Sequence, residues 1–381
     1  MPDCMPLFAV CDFTMGQSPS SDTYNTNGDG MPFYQGNADF GKRSPSPRVW
    51  CNSPKKTANE GDILISVRAP IGAINIAAEQ CCIGRGLAAL AVRPDAATRD
   101  YLEHYLRYKR PELERRGTGS TFKAVGKKIF AEMTLPIVSV DEQSEIAKKL
   151  NNALELQEEA ASQISMLDEL VKSRFVEMFG DQKTNSSELP TVKLGDTAFV
   201  GSSKRVFKDE LVEEGIPFYR GTEVGALAFG NSINPELFIT QQHYEELVGH
   251  TGKPEIGDLL MPSICPDGQI WLVDTDAPFY FKDGRVLWVR PDRSVFDSTY
   301  LQYAMRNRFI ADFESFASGT TFAELKIFIL KNLVVALPPL VLQQEFAAFV
   351  QQVDKLKFET QQAIEKLQLL YDSLAQEYFG S

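Results

Sequence analysis

The chain repeats itself at an offset of about 200 residues, and this self-similarity limits its possible folds more than any single motif does. ISMLDELVKSRFVEMFGD from Ile164 aligns without a gap with IEKLQLLYDSLAQEYFGS from Ile364, setting Leu167, Leu170, Phe179 and Gly180 on Leu367, Leu370, Phe379 and Gly380. Upstream the order is kept. MPFYQG from Met31 matches IPFYRG from Ile216, EGDILISVRAPIGAI (Glu60–Ile74) matches IGDLLMPSICPDGQI (Ile256–Ile270), YLEHYLRYKR from Tyr101 faces YLQYAMRNRF from Tyr300, and GTGSTF (Gly117–Phe122) faces SGTTF (Ser318–Phe322). At 381 residues the chain is too long for one ordinary core, so it reads as two copies of one folding unit.

Within each copy, apolar stretches such as Ile63, Ile65 and Val67, or Ile270 and Leu272, followed by LAALAV and RVLWV, predict strands broken by Gly and Pro turns. A helix follows, with Thr98 or Ser298 as acceptable N-caps, so each unit is α+β. Each copy ends in a long helical stretch whose apolar positions step by four and three. In the first these are Ile146, Leu150, Ala153, Ile164, Leu167, Val171 and Met178; in the second, Phe346, Val350, Val353, Ile364, Leu367, Tyr371, Leu374 and Tyr378. That repeat predicts a coiled-coil seam. Two unrelated amphipathic helices are the alternative, but the register is shared and so are the weak points, Gln157 and Ala160 against Lys357 and Thr360. Chain order then predicts an antiparallel pair, a spacer of about 57 Å at 1.5 Å per residue, holding two similar globules with approximate two-fold symmetry. The expected division is 1–140 and 182–340 for the globules, and 141–181 and 341–381 for the spacer helices.

The net charge of -12 is unevenly spread: +3 over 1–140, -6 over 141–181, -6 over 182–340 and -3 over 341–381. The two helical stretches therefore hold most of it. Met1 to Phe13 has no Lys or Arg, and no apolar run reaches the roughly 18 residues of a membrane span, which points to the cytoplasm. Cys4, Cys11, Cys51, Cys81, Cys82 and Cys265 form no CxxC pair, and three histidines do not make a metal cluster, so buried thiols and no metal site are expected.

Catalytic motifs are near misses. GNADFGKR (Gly36–Arg43) has Arg43 where a phosphate loop needs a hydroxyl, and Pro45 and Pro47 forbid the helix that should follow. Pro291-Asp292 with Glu324-Leu325-Lys326 has the spacing of some Mg²⁺ nucleases, but the first copy keeps Pro94-Asp95 and puts Ala124, Val125 and Gly126 opposite the rest. No Asn-Pro-Pro-aromatic tetrapeptide and no nucleophile elbow occurs, so no catalytic residues are expected. Binding suits the remainder. Basic residues gather in expected loops: Lys42, Arg43, Arg48, Lys55 and Lys56, then Lys123, Lys127 and Lys128, and in the second copy Lys204, Arg205, Arg220 and Arg285. Gln35 falls opposite Arg220, and Thr118 near Ser318; Gln17, Tyr24, Arg68, Arg85, Ser203, Thr222 and Thr320 complete the candidates for DNA contact.

GQSPSSDTYN (Gly16–Asn25), GDILISVRAPIG (Gly61–Gly72), CCIGRGLAAL (Cys81–Leu90), LPPLVLQQEFAAFVQQVDK (Leu337–Lys355) and the closing EYFG resemble the specificity subunits of type I restriction-modification systems. The resemblance implies two target-recognition domains, each reading half of a split double-stranded DNA site, with the paired helices setting the gap. It also implies docking of two methyltransferase subunits, which methylate adenine, and in some systems of a restriction subunit. S-adenosylmethionine, ATP and Mg²⁺ would then be held by those partners and no cofactor by this chain. A coiled-coil protein-interaction scaffold without DNA specificity is the competing reading, and a self-contained DNA-modifying enzyme a third.

Overall fold

The structure, a computed structural model, describes residues 4–119, 123–316 and 323–380. Two compact units share the chain, Met1–Gln163 with Thr360–Ser381 forming the first and Ile164–Glu359 the second. The first runs β1 (Cys4–Pro6), β2 (Cys11–Met15), β3 (Met31–Tyr34), β4 (Ile63–Ser66), β5 (Ile74–Ile76), β6 (Cys81–Ile83), β7 (Leu87–Val92), α1 (Arg99–Tyr108), α2 (Lys127–Ala131) and β8 (Thr134–Pro136), and enters α3 (Val140–Phe179). The second repeats the plan with β9 (Thr191–Lys193), β10 (Ala198–Gly201), β11 (Ile216–Tyr219), α4 (Gly221–Ala228), β12 (Leu259–Pro262), β13 (Trp271–Leu272), β14 (Tyr280–Phe281), β15 (Val286–Pro291), α5 (Ser298–Phe316), α6 (Ile327–Lys331), β16 (Val334–Ala336) and α7 (Leu340–Phe379). No helix among the described residues is long and apolar enough to cross a membrane.

Each unit rests on an antiparallel sheet of one order, β2-β7-β4-β5 in the first and β10-β15-β12-β13 in the second. The central strand β4 is apolar at successive positions because both its faces are covered. Ile63 and Ile65 join the helical core with Tyr101 and Tyr105, whereas Leu64 packs with Leu87 and Ala89 on the other face. In β12, Leu259 and Met261 take the helical side and Leu260 the opposite one. The helix after each sheet is capped by a side chain. Thr98 accepts from the Tyr101 N–H (3.3 Å), and in the second unit Asp297 does so from Thr299 and Tyr300 (2.9 and 3.2 Å). The expected cap Ser298 is instead the first helical residue, since the Asp297 carboxylate is the stronger acceptor.

A buried glutamine anchors each long helix. Gln143 accepts from the Thr98 N–H (2.9 Å) and donates to the carbonyls of Ala96 (3.2 Å) and Val138 (3.0 Å). Gln343 accepts from Asp297 (2.9 Å) and donates to Val295 (3.1 Å) and Pro338 (2.8 Å). All three bonds of each fall on backbone groups, so each side-chain amide ties the start of its helix to the segment before the preceding helix.

The end of α7 belongs to the core of the first unit. Tyr371, Ala375 and Phe379 are buried there with Ile146, Leu150 and Ala153, while Leu374 is partly buried against the same core and Ile364 and Leu367 are half-exposed. Along α3, from Lys149 (3.4 Å to the Tyr378 hydroxyl) to Gln157 (3.2 Å to Gln368), the partners step backward along α7, so within this unit the two segments are antiparallel. In the second unit Val171, Phe175 and Phe179 of α3 are buried with Phe346, Val350 and Val353 of α7, Leu167 is partly buried and Ile164 half-exposed. The buried stripe near each helix end thus steps 171, 175, 179 and 371, 375, 379 rather than by four and three. Met178 and Tyr378, expected in the seam, are only partly buried. The cause is that these ends pack on α5 or α1 as well as on a helix: Phe175 and Phe179 lie 5.9 and 4.7 Å from the Tyr300 ring.

His104 fastens three helices of the first unit, its ring nitrogens 3.0 Å from the Tyr371 hydroxyl and 2.9 Å from Asn151 Oδ1. Burial holds its pKa below the usual 6.5, against the raising pull of the Asn151 bond and of Glu103 and Asp100; nearby Arg107 lowers it further. With a depressed folded value the imidazole must stay neutral to remain folded, so its stabilisation is full above pH 6.5 and is lost as pH falls below it. The first unit is therefore expected to lose hydrogen-exchange protection between pH 7.5 and 5.5, and His104→Gln to flatten that loss. An equal loss in the variant would contradict this. Cys11, Cys51, Cys81, Cys82 and Cys265 are buried free thiols, whereas Cys4, expected to be buried, is exposed on the outer strand β1.

Candidate nucleic-acid interface

In the first unit β3 and β6 lie parallel, Tyr34 opposite Ile83, and the segments leaving them are tied by main-chain hydrogen bonds. The N–H groups of Gly16 and Gln17 donate to Leu87 and Ile83 (both 2.9 Å), Gly84 to Tyr34 (2.8 Å), Gly86 to Gln35 (3.1 Å), Val67 to Gly86 (2.9 Å) and Val125 to Val67 (2.9 Å). Segments distant in sequence thereby form one belt on the sheet. The backbone groups are consumed in holding the belt, and the side chains of Gln17, Gln35, Arg68, Arg85, Thr118 and Lys123 are all exposed.

The belt depends on glycine where strands touch. A Cβ on Gly86 would overlap the Gln35 carbonyl oxygen, whereas one on Gly36 meets nothing within 4 Å. Gly86→Ala is expected to cost about 1–3 kcal/mol in urea unfolding, as overpacking does, and Gly36→Ala much less. Equal costs would refute the close approach.

The remaining candidates of this unit divide between scaffold and surface. Tyr24 donates its hydroxyl to Pro19 (3.0 Å) and packs 4.8 Å from the Phe33 ring. Arg48 Nε is 3.0 Å from Asp39, whose other oxygen accepts from the Gln35 N–H (2.7 Å), so this pair sets the Gln35 loop beside a cleft of about 460 Å³. Lys42 pairs with Glu158 (2.6 Å). Among the described residues no ion pair is formed by Arg43, Lys55, Lys56, Arg68, Arg85 or Lys123, all exposed. Lys127 and Lys128, expected in a loop, lie in α2, which Gly126 opens after the belt ends.

The second unit repeats three of these main-chain ties with different side chains. Tyr219 lies opposite Phe281 on parallel β11 and β14. Lys282 donates to Tyr219 (2.9 Å), Ser263 to Arg285 (2.9 Å) and Leu325 to Ser263 (2.7 Å) through their N–H groups. These bonds set Gly84, Gly86, Val67 and Val125 of the first unit on Lys282, Arg285, Ser263 and Leu325. Ser203 donates to the Phe281 carbonyl (2.5 Å), and the Lys204 N–H to the Tyr280 hydroxyl (2.9 Å). Arg220, expected in a loop, caps α4, and Thr222 lies in its first turn, because Glu223 three residues on bonds back to the Arg220 N–H (2.8 Å).

A cleft of about 670 Å³ opens here, lined in part by Arg220, Thr222, Ser263, Gln269, Lys282 and Arg285. Its arginines are tethered. Arg220 holds Glu223 (2.6 Å), Arg285 holds Glu324 (3.0 Å), and Arg205 nearby holds Asp283 (3.3 Å). Burial opposes the charge on Glu223, but bonds from the Arg220 side chain and backbone and from the Thr222 hydroxyl outweigh it and hold the carboxyl down to about 2. Lys282 was not singled out from the sequence, since Lys282-Asp283-Gly284-Arg285 has one residue more than Gly84-Arg85-Gly86 and the insertion breaks the alignment; Gln269 lies within the matched stretch opposite Ala73, and an uncharged residue there carries no signal. Thr320 lies outside the described residues, as do Ser120–Phe122 and Ser318–Phe322 of the matched segments. Of the nuclease-like spacing, Asp292 is occupied by Ser294 (2.6 Å) and Glu324 by Ser263 (2.8 Å) and Arg285.

The family model described as type I restriction modification DNA specificity domain matches the chain twice, at residues 5–165 and 187–369. A Methanocaldococcus jannaschii protein provisionally named the type I restriction enzyme MjaX specificity subunit is 45% identical over 136 residues, 36% of this chain and 32% of its own length. The chain thus spans about a third of that relative. The type I restriction enzyme MjaIX specificity subunit of the same organism is 26% identical over 336 residues, 83% of this chain and 76% of that protein. Among solved structures, the type I restriction-modification S subunit from M. genitalium is 17% identical with a TM-score of 0.52, covering 99% of this chain and 96% of that one, a likeness of fold alone.

Proposed function

The chain belongs to the type I restriction-modification DNA specificity family, and from that premise we propose that it is the non-catalytic specificity subunit of such a complex. Residues 1–140 and 182–340 act as target-recognition domains, each reading half of a split double-stranded site. The observation that carries this reading is the pair of main-chain-tied belts, built at matched positions and presenting Gln17, Gln35, Arg68, Arg85 and Lys123 in one unit and Lys204, Arg220, Lys282 and Arg285 in the other. Rigid scaffolds with exposed Gln, Arg and Lys suit phosphates and base edges.

The helices at 141–181 and 341–381 serve as an antiparallel coiled-coil spacer with approximate two-fold symmetry, seamed by the matched residues Ile146, Leu150, Ile164, Leu167 and Val171 with Phe346, Val350, Val353, Ile364, Leu367 and Leu374. A 40-residue helix is about 60 Å long, and half-sites one turn apart lie about 34 Å apart. Two methyltransferase subunits dock on this complex in the cytoplasm, a restriction subunit where the system has one, and S-adenosylmethionine, ATP and Mg²⁺ stay with those partners. Selection from random duplexes by the full chain is expected to enrich two short sequences at a fixed gap, with binding that weakens as salt rises. Salt-independent capture without enrichment would favour the protein-interaction scaffold, and S-adenosylmethionine binding by the chain alone would favour a self-contained enzyme.

A further inference from the structure

We infer that the two units divide DNA binding unequally: the first supplies salt-sensitive attraction to phosphates, and the second reads bases through carboxylate-anchored Arg220 and Arg285. The inference rests on the proposal that both units read DNA. It follows from the belt register, which allows position-by-position comparison. Arg68, Arg85 and Lys123 follow or precede Val67, Gly84 and Val125 at the same spacing as Ile264, Asp283 and Ala323 stand to Ser263, Lys282 and Leu325. Three exposed cations of the first belt are thus an apolar residue, an acid and an alanine in the second.

The second belt gains charge where the first is neutral. Gln35, Gly84, Gly86 and Ala124 correspond to Arg220, Lys282, Arg285 and Glu324, and the added Lys282 is followed by the acid Asp283 where the first belt has Arg85. The gained arginines come with acids: Glu223 engages Nε and one terminal nitrogen of Arg220, and Glu324 takes Arg285 while also accepting from Ser263. Counterion release counts net cations placed on phosphates, and a guanidinium already balanced by a carboxylate adds little to it. The same pairing fixes the guanidinium plane, and a fixed fork suits bidentate recognition of guanine. Thr222 and Gln269 supply further polar groups around the cleft. The -6 of residues 182–340 then accompanies selective reading rather than the absence of a DNA face.

The test is the salt dependence of binding by the full chain to a duplex carrying the selected split site and to duplexes with a mismatch in either half. The triple variant R68Q/R85Q/K123Q is expected to lower the slope of log K against log salt by about 2–3, at about 0.9 per phosphate contact, and to keep discrimination in the second half-site. R285Q is expected to leave the slope nearly unchanged and to erode that discrimination by about 5- to 150-fold. E324Q frees Arg285 and is expected to raise the slope while loosening discrimination, an effect that damage to the fold would not produce. A slope loss in R285Q equal to that of R85Q, or intact second-half discrimination in both R220Q and R285Q, would overturn the division. No preference of the unaltered chain for a split site over a scrambled duplex would instead remove the proposed function on which it rests.

Discussion

Removal of residues 360–381 is expected to unfold the first unit and leave the second folded. The deleted segment supplies Tyr371, Ala375 and Phe379 to a core that otherwise comes from residues 7–153. Phe379 is 1% exposed, its ring 5.1 Å from Tyr101 and 5.8 Å from Tyr105. Tyr371 completes the His104 network and Gln376 accepts from the Tyr108 hydroxyl (2.8 Å). A buried Phe→Ala change alone costs about 3–5 kcal/mol. Domains are stable by only about 5–15 kcal/mol, so losing the whole segment exceeds what the unit can absorb. The single variants separate the units: Phe379→Ala should open the first, and Phe179→Ala, whose ring meets Tyr300 and Phe346, the second. Limited proteolysis with mapped cleavage sites distinguishes them. Cleavage of the second unit in Phe379→Ala, or resistance of both units after deletion, would contradict the assignment.

Exchange of residues 1–140 for the matching stretch of a relative with another target is expected to change one half of the recognised sequence completely and leave the other half and the gap untouched. The belt of the first unit closes entirely within 16–125, and that of the second within 203–325. Mismatched base pairs cost about 1–3 kcal/mol each, so exchange of several contacts should abolish the old half-site rather than weaken it. Alteration of both halves would show that the readers are not independent. Shortening both long helices by matched turns should change the gap and preserve both halves.

Self-similarity made the architecture legible because it does not depend on local propensity: the two sheets share one strand order, and helices follow them at 99 and 298. The helix ends were less legible. Apolar spacing suggested a two-helix seam, but Phe175 and Ala375 are buried because α5 and α1 cover a third side, which a heptad pattern does not encode. The network of His104 had no sequence signal, its partners Asn151 and Tyr371 lying 47 and 267 residues away. The sequence located the arginines of the second unit's cleft but not the carboxylates that hold them, since Arg285 and Glu324 meet only through the belt.

The most direct test of the account is sequencing of adenine methylation in host DNA after co-expression of a partner methyltransferase with and without this chain. A split motif with two defined halves and a fixed gap, present only with the chain, is expected. A methyltransferase complex that forms but marks no motif, or the same motif made without the chain, would contradict it.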